Sequence, residues 1–173
     1  MNLTTRTLIL AALLVVGACR EGGPLGPVGP IAGGAAPGGS AAAILAALTG
    51  GTVTGAVTFT KGIGTDVTVN VTLNGCVAGK TYPVHIHQGT GCADAVAQGD
   101  HWGPTRGEMI PSVVCGATGM GTTMYTRPAT DPTLAWTIGG DPATNVVGHA
   151  FIAHAPDVPM MPPRIACGVI AAK

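Results

Sequence analysis

Two consecutive runs constrain the fold of this chain most strongly. "TVTGAVTFTKG" (52–62) and "DVTVNVTLNG" (66–75) alternate β-branched or apolar residues with small or polar ones. A period of two suits a half-buried strand and does not suit a helix, whose apolar stripe repeats every three to four residues. Both runs end in Gly-containing turns, so they read as adjacent antiparallel strands. "KTYPVHIHQ" reads as a third strand and "SVVCGATGMGTTMYTRP" as a further hairpin. "LAWTIGG", "VVGHAFIAHAP" and "RIACGVIAAK" read as the remaining strands. Turns recur about every ten residues, which predicts an all-β domain, a sandwich or barrel. Aromatic residues make up only 3 % of the chain, and Ala and Val supply most of its apolar content. A core of small side chains suits closely packed sheets.

The first fifty residues read differently. "MNLTTRTLILAALLVVGAC" carries an Arg, an apolar run from Leu8 to Val16 and small residues before Cys19. This predicts a signal peptide over 1–18, too short an apolar run for a membrane span. "VGAC" matches the end of a bacterial lipoprotein signal, with Cys19 as the lipidated residue; the alternative is ordinary cleavage nearby. A lipid on Cys19 would anchor the protein to a membrane surface without spanning it. Residues 19–50, rich in Gly, Pro and Ala, read as a tether, within which "AAAILAAL" is a short helix or an apolar piece of linker. The domain is then expected over 51–173, and the protein in the periplasm or on the outer membrane. Formal net charge is +0 and no basic tract is present, so nucleic acid is not an expected partner. With Cys19 lipidated, Cys76, Cys92, Cys115 and Cys167 remain. An even count in an exported protein reads as disulfides, with three connectivities open.

The chain has five histidines, and two of them lie two residues apart in "YPVHIHQGTGC". In a strand His85 and His87 share one face, with Val84 and Ile86 turned into the core. Two imidazoles on a rigid face are half of a metal site. The other histidines are His101, His149 and His154. The last two are an odd number of residues apart, so a strand would aim only one of them at a given pocket. His154, at the strand end, suits an open site. The set is therefore His85, His87, His101 and His154, and all-imidazole ligation suits copper or zinc.

"VHIHQGTGC", "DHWGP", "GHAFIAHAPD" and "RIACGVIA", in that order, resemble the copper/zinc superoxide dismutases over about Val53 to Ala172. The resemblance implies an eight-stranded Greek-key sandwich and the same four histidines as copper ligands. It implies a Cys92–Cys167 disulfide, and Arg164 beside the metal to receive the superoxide anion. The zinc-binding loop of that family is shortened here to "HWGPTRGEMIP", with Thr105 where a zinc histidine is expected. The chain thus resembles the copper-only branch, and zinc is not expected. In that branch a Glu partners the fourth copper histidine, and Glu108 is the candidate. A carboxylate on the far nitrogen of a metal-bound imidazole fixes its orientation, as zinc does. The implied reaction is dismutation of superoxide to oxygen and hydrogen peroxide, with His101 leaving the metal protonated, held in place by Glu108, and then returning the proton to the reduced substrate. A copper-binding module for storage or delivery, without turnover, is the competing function. A metal-free structural sandwich is the third.

Two features fall outside the resemblance. Cys76 and Cys115 form a second candidate bridge. Met160 and Met161 in "VPMMPP" lie beside the expected copper mouth, where thioethers favour Cu(I) and could assist copper loading; a Met pair in a Pro-rich loop more often just packs.

Overall fold

The computed structural model describes residues 39–62, 66–103, 109–127, 135–160 and 162–173. Its elements are β1 (Ser40–Ala47), β2 (Thr54–Lys61), β3 (Val67–Asn74), β4 (Thr81–Tyr82) and β5 (Val84–His87). A one-turn helix, α1 (Ala95–Gln98), follows. Then come β6 (Val113–Val114), β7 (Met120–Arg127), β8 (Ala150–His154), β9 (Arg164–Val169) and β10 (Ala171–Ala172). The fold is all-β and antiparallel, as expected. The main sheet runs β5-β8-β9-β1-β2-β3-β7, with β10 on β1, and curls into a half-barrel. β3 to β5 and β7 to β8 cross from one side of the sheet to the other, the over-and-across path of Greek keys. Two short strands reach across the open side. β4 runs into β5 through Pro83 and pairs with β6, and β6 continues to a bridge between Cys115 and Gly121 of β7.

The alternation in β2 and β3 does what it predicts. Val57 and Phe59 point inward from β2, and Val67, Val69, Val71 and Leu73 from β3, all fully buried. The opposite faces are mostly Thr and Asn, with Ala56 on β2, and include a Thr68–Thr126 hydroxyl pair across β3 and β7. Phe59 stands at the centre, edge-on to Trp136 at 5.8 Å and to Phe151 at 6.3 Å. With so few aromatic rings, each fills a large part of the core. Truncating such a ring to Ala typically costs about 3–5 kcal/mol.

Two sequence expectations are corrected. Ser40–Ala47 is neither tether nor helix but the central strand, so the domain starts before residue 51. β1 pairs with β2 from Ser40 to Leu45 and with β9 at Ala46 and Ala47. Ala41, Ala43 and Leu45 are buried. Because Ala occupies both faces, no alternation is visible in "SAAAILAA". Ala prefers helix only by fractions of a kcal/mol over most residues, and hydrogen bonding to two flanking strands overrides that preference. The described part of "LAWTIGG" is not a strand: only a parallel bridge between Thr137 and Asn145 forms there. Its apolar residues are a loop that plugs the barrel, with Trp136 and Ile138 buried and the Arg127 guanidinium 5.1 Å above the Trp136 ring. The expected signal peptide over 1–18 and Cys19 lie outside the described residues.

Both disulfides form. Cys76–Cys115 ties the end of β3 to the residue after β6, and Cys92–Cys167 ties the loop after β5 to β9. The Cα separations, 6.1 and 5.7 Å, are those of ordinary bridges.

Candidate metal centre

The site is built on the outer face of the β5–β8–β9 end of the sheet. Val84 and Ile86 are fully buried in the core, so His85 and His87 project the other way. On β8, Ile152 lies opposite His85 and Ala150 opposite His87. Phe151 and Ala153 take the core side, while Ala150 and Ile152 form a small second cluster with Cys167. β8 is therefore buried on both faces, which is why "AFIAH" does not alternate. His154, two residues on from Ile152, lands on the metal face. After Ala153 the β8–β9 register shifts so that His154 pairs with Arg164 and Ile165 is skipped. Such irregularities re-aim side chains.

The loop from Gln88 to Asp100 covers this face and then returns alongside β5. Gln88 donates its N–H to Asp100 O at 2.7 Å, and Trp102 to Ile86 O at 2.9 Å. Those bonds frame an isolated His87–His101 bridge, which turns His101 toward the same pocket. Close backbone contact makes this return possible. A Cβ on Gly89 would collide with the carbonyls of Ala97 and Gln98, and Gly99 has φ 67°, a left-handed value that favours glycine. Cys92–Cys167 pins the loop onto β9 beneath this cover.

All four expected histidines are brought together. One ligand atom from each of His85, His87, His101 and His154 lies within 4.8 Å of every other. Ring centroids are 4.4 Å apart for His85–His101 and 4.8 Å for His87–His101. His149 is excluded, as the odd spacing requires. Its ring lies tilted against Trp102, centroids 4.3 Å apart, and meets the carbonyl of Gln88.

Hydrogen bonding fixes two of the tautomers. His87 Nδ1 lies 2.9 Å from Gly99 O, and His154 Nδ1 lies 2.9 Å from Pro162 O. A carbonyl can only accept, so both Nδ1 atoms carry the proton and both Nε2 atoms present lone pairs. These Nε2 atoms face each other at 3.2 Å. Burial lowers the His87 pKa to about 4, against the Gly99 bond that raises it, and the Arg164 charge lowers it further. Burial likewise lowers His154. At neutral pH two lone pairs therefore point at each other, which is unfavourable unless a cation sits between them. Metal–imidazole bonds of about 2.0–2.1 Å separate neighbouring ligand nitrogens by roughly 3 Å, matching this spacing. The residues fit a metal ion.

The chain matches no family model and no curated protein.

Arg164 reaches the same place from β9. Its Nη1 donates to Ala95 O at 3.0 Å and to Gln98 Oε1 at 3.1 Å, and its Nη2 donates to Gly99 O at 2.8 Å. The Gly99 carbonyl thus accepts from both Arg164 and His87, so one atom couples the guanidinium to a candidate ligand. A cleft of about 600 Å³ opens over the cluster, lined by His87, His101, His154, Met160 and Arg164 among others. Glu108 and Thr105 lie outside the described residues, as does Met161.

The sequence gives no sign of the Gly99 and Pro162 carbonyls that orient two imidazoles, because main-chain acceptors have no residue signature. Gln98, 3 % exposed at the end of α1 and an acceptor for Arg164, likewise left no signal in the sequence.

Proposed function

We propose that the protein is a copper-dependent superoxide dismutase, exported and held to a membrane through Cys19. The observation that carries the metal part is the His87–His154 apposition, two inward lone pairs within a four-imidazole cluster. An all-nitrogen set of this kind suits copper, and the order of motifs from "VHIHQGTGC" to "RIACGVIA" resembles the copper/zinc superoxide dismutases. The two disulfides are compatible with an oxidising compartment.

Bound copper would supply a centre that alternates between two oxidation states, converting superoxide to oxygen and hydrogen peroxide. The chain's own residues do the rest. Gly99 and Pro162 hold the His87 and His154 rings with Nε2 inward. Burial keeps those nitrogens free of protons at neutral pH, and so available to the metal. Arg164 fixes a positive charge on the cleft wall, and its three hydrogen bonds leave it pre-oriented when an anion arrives. Net charge is +0, so any attraction of an anion into the cleft is local. His101 sits on a single bridge rather than in a strand. It is the ligand best placed to swing away with a proton, with Glu108 as the expected partner.

One observation favours a second reading. Arg164 is committed to three acceptors, a role that would serve equally to brace a copper-storage or delivery module. Loading the protein separately with copper and zinc, then measuring metal content and superoxide consumption, decides between them. Equimolar copper with fast dismutation is the expected result. Bound copper without turnover would move the protein to the storage class, and a tighter hold on zinc would overturn the copper assignment.

A further inference from the structure

The segment from Ala155 to Pro163 closes on itself beside the metal cluster. Ala155 donates its N–H to Pro163 O at 2.8 Å, His154 Nδ1 donates to Pro162 O, and Lys80 pairs with Asp157. Between these anchors stands Met160, 98 % exposed, with a backbone φ of 69°. That φ is unfavourable for a residue with a Cβ, and such outliers persist only where the surroundings impose them. A fully exposed thioether contributes no packing in return. Yet Met160 lines the same cleft as His101, His154 and Arg164.

The chemistry of the donors differs sharply from rim to floor. His85 and His101 are half-buried, but His87 and His154 are 1 % and 3 % exposed, so a copper ion still attached to a carrier cannot reach the full set. A thioether is a soft, uncharged ligand that selects Cu(I) over harder ions. It is not protonated in water, so it stays available at any pH. Among the described residues lining the cleft, Met160 is the one soft donor, and it is 98 % exposed.

We propose that Met160 is a capture ligand for Cu(I), taking the ion from a soft carrier at the rim and passing it to the histidines below. The proposal rests on the copper reading of the cluster. Each step is a ligand exchange with no electron transfer. The carrier–copper bond breaks as the Met160 Sδ–copper bond forms. That bond then breaks as imidazole nitrogens of the histidine cluster bind. The left-handed backbone coincides with a side chain left in solvent at the edge of the cleft.

The test uses the metal-free protein without oxygen, with the Cu(I)–bicinchoninate complex as donor. Transfer is followed by the loss of the chelate's colour, in the wild type and in Met160→Leu and Met160→Gly. Both variants should reach the same final copper content, with transfer slowed roughly tenfold, the scale of one weak bond of about 1.4 kcal/mol. Glycine relieves the backbone strain and leucine does not, so a loss common to both follows the sulfur and not stability. In parallel, Ag(I), a redox-inert stand-in for Cu(I), is titrated against protein carrying labelled Met methyl groups. The Met160 methyl resonance should shift at substoichiometric silver. Equal transfer rates in all three proteins, or an unmoved Met160 resonance while silver binds, would overturn the proposal and leave the copper reading intact. A wild type that takes no copper from the chelate would instead sink the copper reading, and the capture role with it.

Discussion

At the scale of single residues, the Gly99 carbonyl is the junction of the site. It orients His87 through Nδ1 and accepts a second bond from Arg164. Two predictions follow from that geometry. The first concerns pH. His87 in the folded, metal-free protein titrates at about 4, below its ordinary 6.5, because burial disfavours the charged ring. The unfolded chain therefore binds more protons between those values, and stability falls as pH drops from about 6.5 toward 4. Above 6.5 this contribution is fully present and flat. Thermal melts of the metal-free protein should show that slope, and His87→Gln should remove part of it; an unchanged slope in the variant would assign the effect elsewhere. The second concerns Arg164. Arg164→Ala should slow superoxide consumption by roughly tenfold or more and abolish its ionic-strength dependence, since fixed local charge governs capture in a neutral protein. Arg164→Lys keeps the charge and loses the forked contact. It should retain the salt dependence while weakening copper retention, because only the guanidinium spans Gln98 and Gly99. Rates measured across a salt series, with copper content alongside, check both.

At the scale of elements, β1 determines whether a sheet exists at all. It lies between β9 and β2, so its removal divides the sheet into the β5–β8–β9 part, which carries three of the four histidines, and the β2–β3–β7 part. Burial of Leu45 alone is worth about 2–5 kcal/mol by comparison with Leu-to-Ala changes, against a total domain stability of only about 5–15 kcal/mol. A protein beginning at Gly39 should melt cooperatively, and one beginning at Thr52 should show no cooperative transition by circular dichroism. A sharp melt for the shorter chain would mean that β1 is dispensable. The same two segments show where the sequence is legible and where it is not. β2 and β3 are readable because one face is wet and the other dry. β1 is unreadable because its outward face is Ala and Ile rather than Thr, so burial leaves no periodic trace. "LAWTIGG" misleads in the opposite direction. Its apolar residues fill the barrel as a loop, and apolar content without alternation does not separate strand from plug.

At the scale of the whole molecule, the cluster joins parts of the chain far apart in sequence. β5 brings His85 and His87, the returning loop brings His101, and the end of β8 brings His154. An ion bound by all of them stabilises the folded state alone. Copper at about 1,000 times its dissociation constant should add roughly 4 kcal/mol and raise the melting temperature, and a chelator should reverse the rise. Calorimetry with and without copper checks this, and an unmoved transition would mean the cluster does not hold the ion. What the sequence determined by itself was local. Alternation defined an all-β chain, the two-residue spacing put His85 and His87 on one face, and the odd spacing of His149 and His154 let only one of them join. These follow from backbone periodicity, which is written residue by residue. What only tertiary structure decided was non-local. Strand pairing on both sides made an Ala-rich stretch into the central strand. A register shift beside β9 set His154 against Arg164, and a loop pinned by Cys92–Cys167 delivered the carbonyl that aims His87. Main-chain acceptors and strand neighbours have no letter in the sequence, so they exist only once the chain has folded.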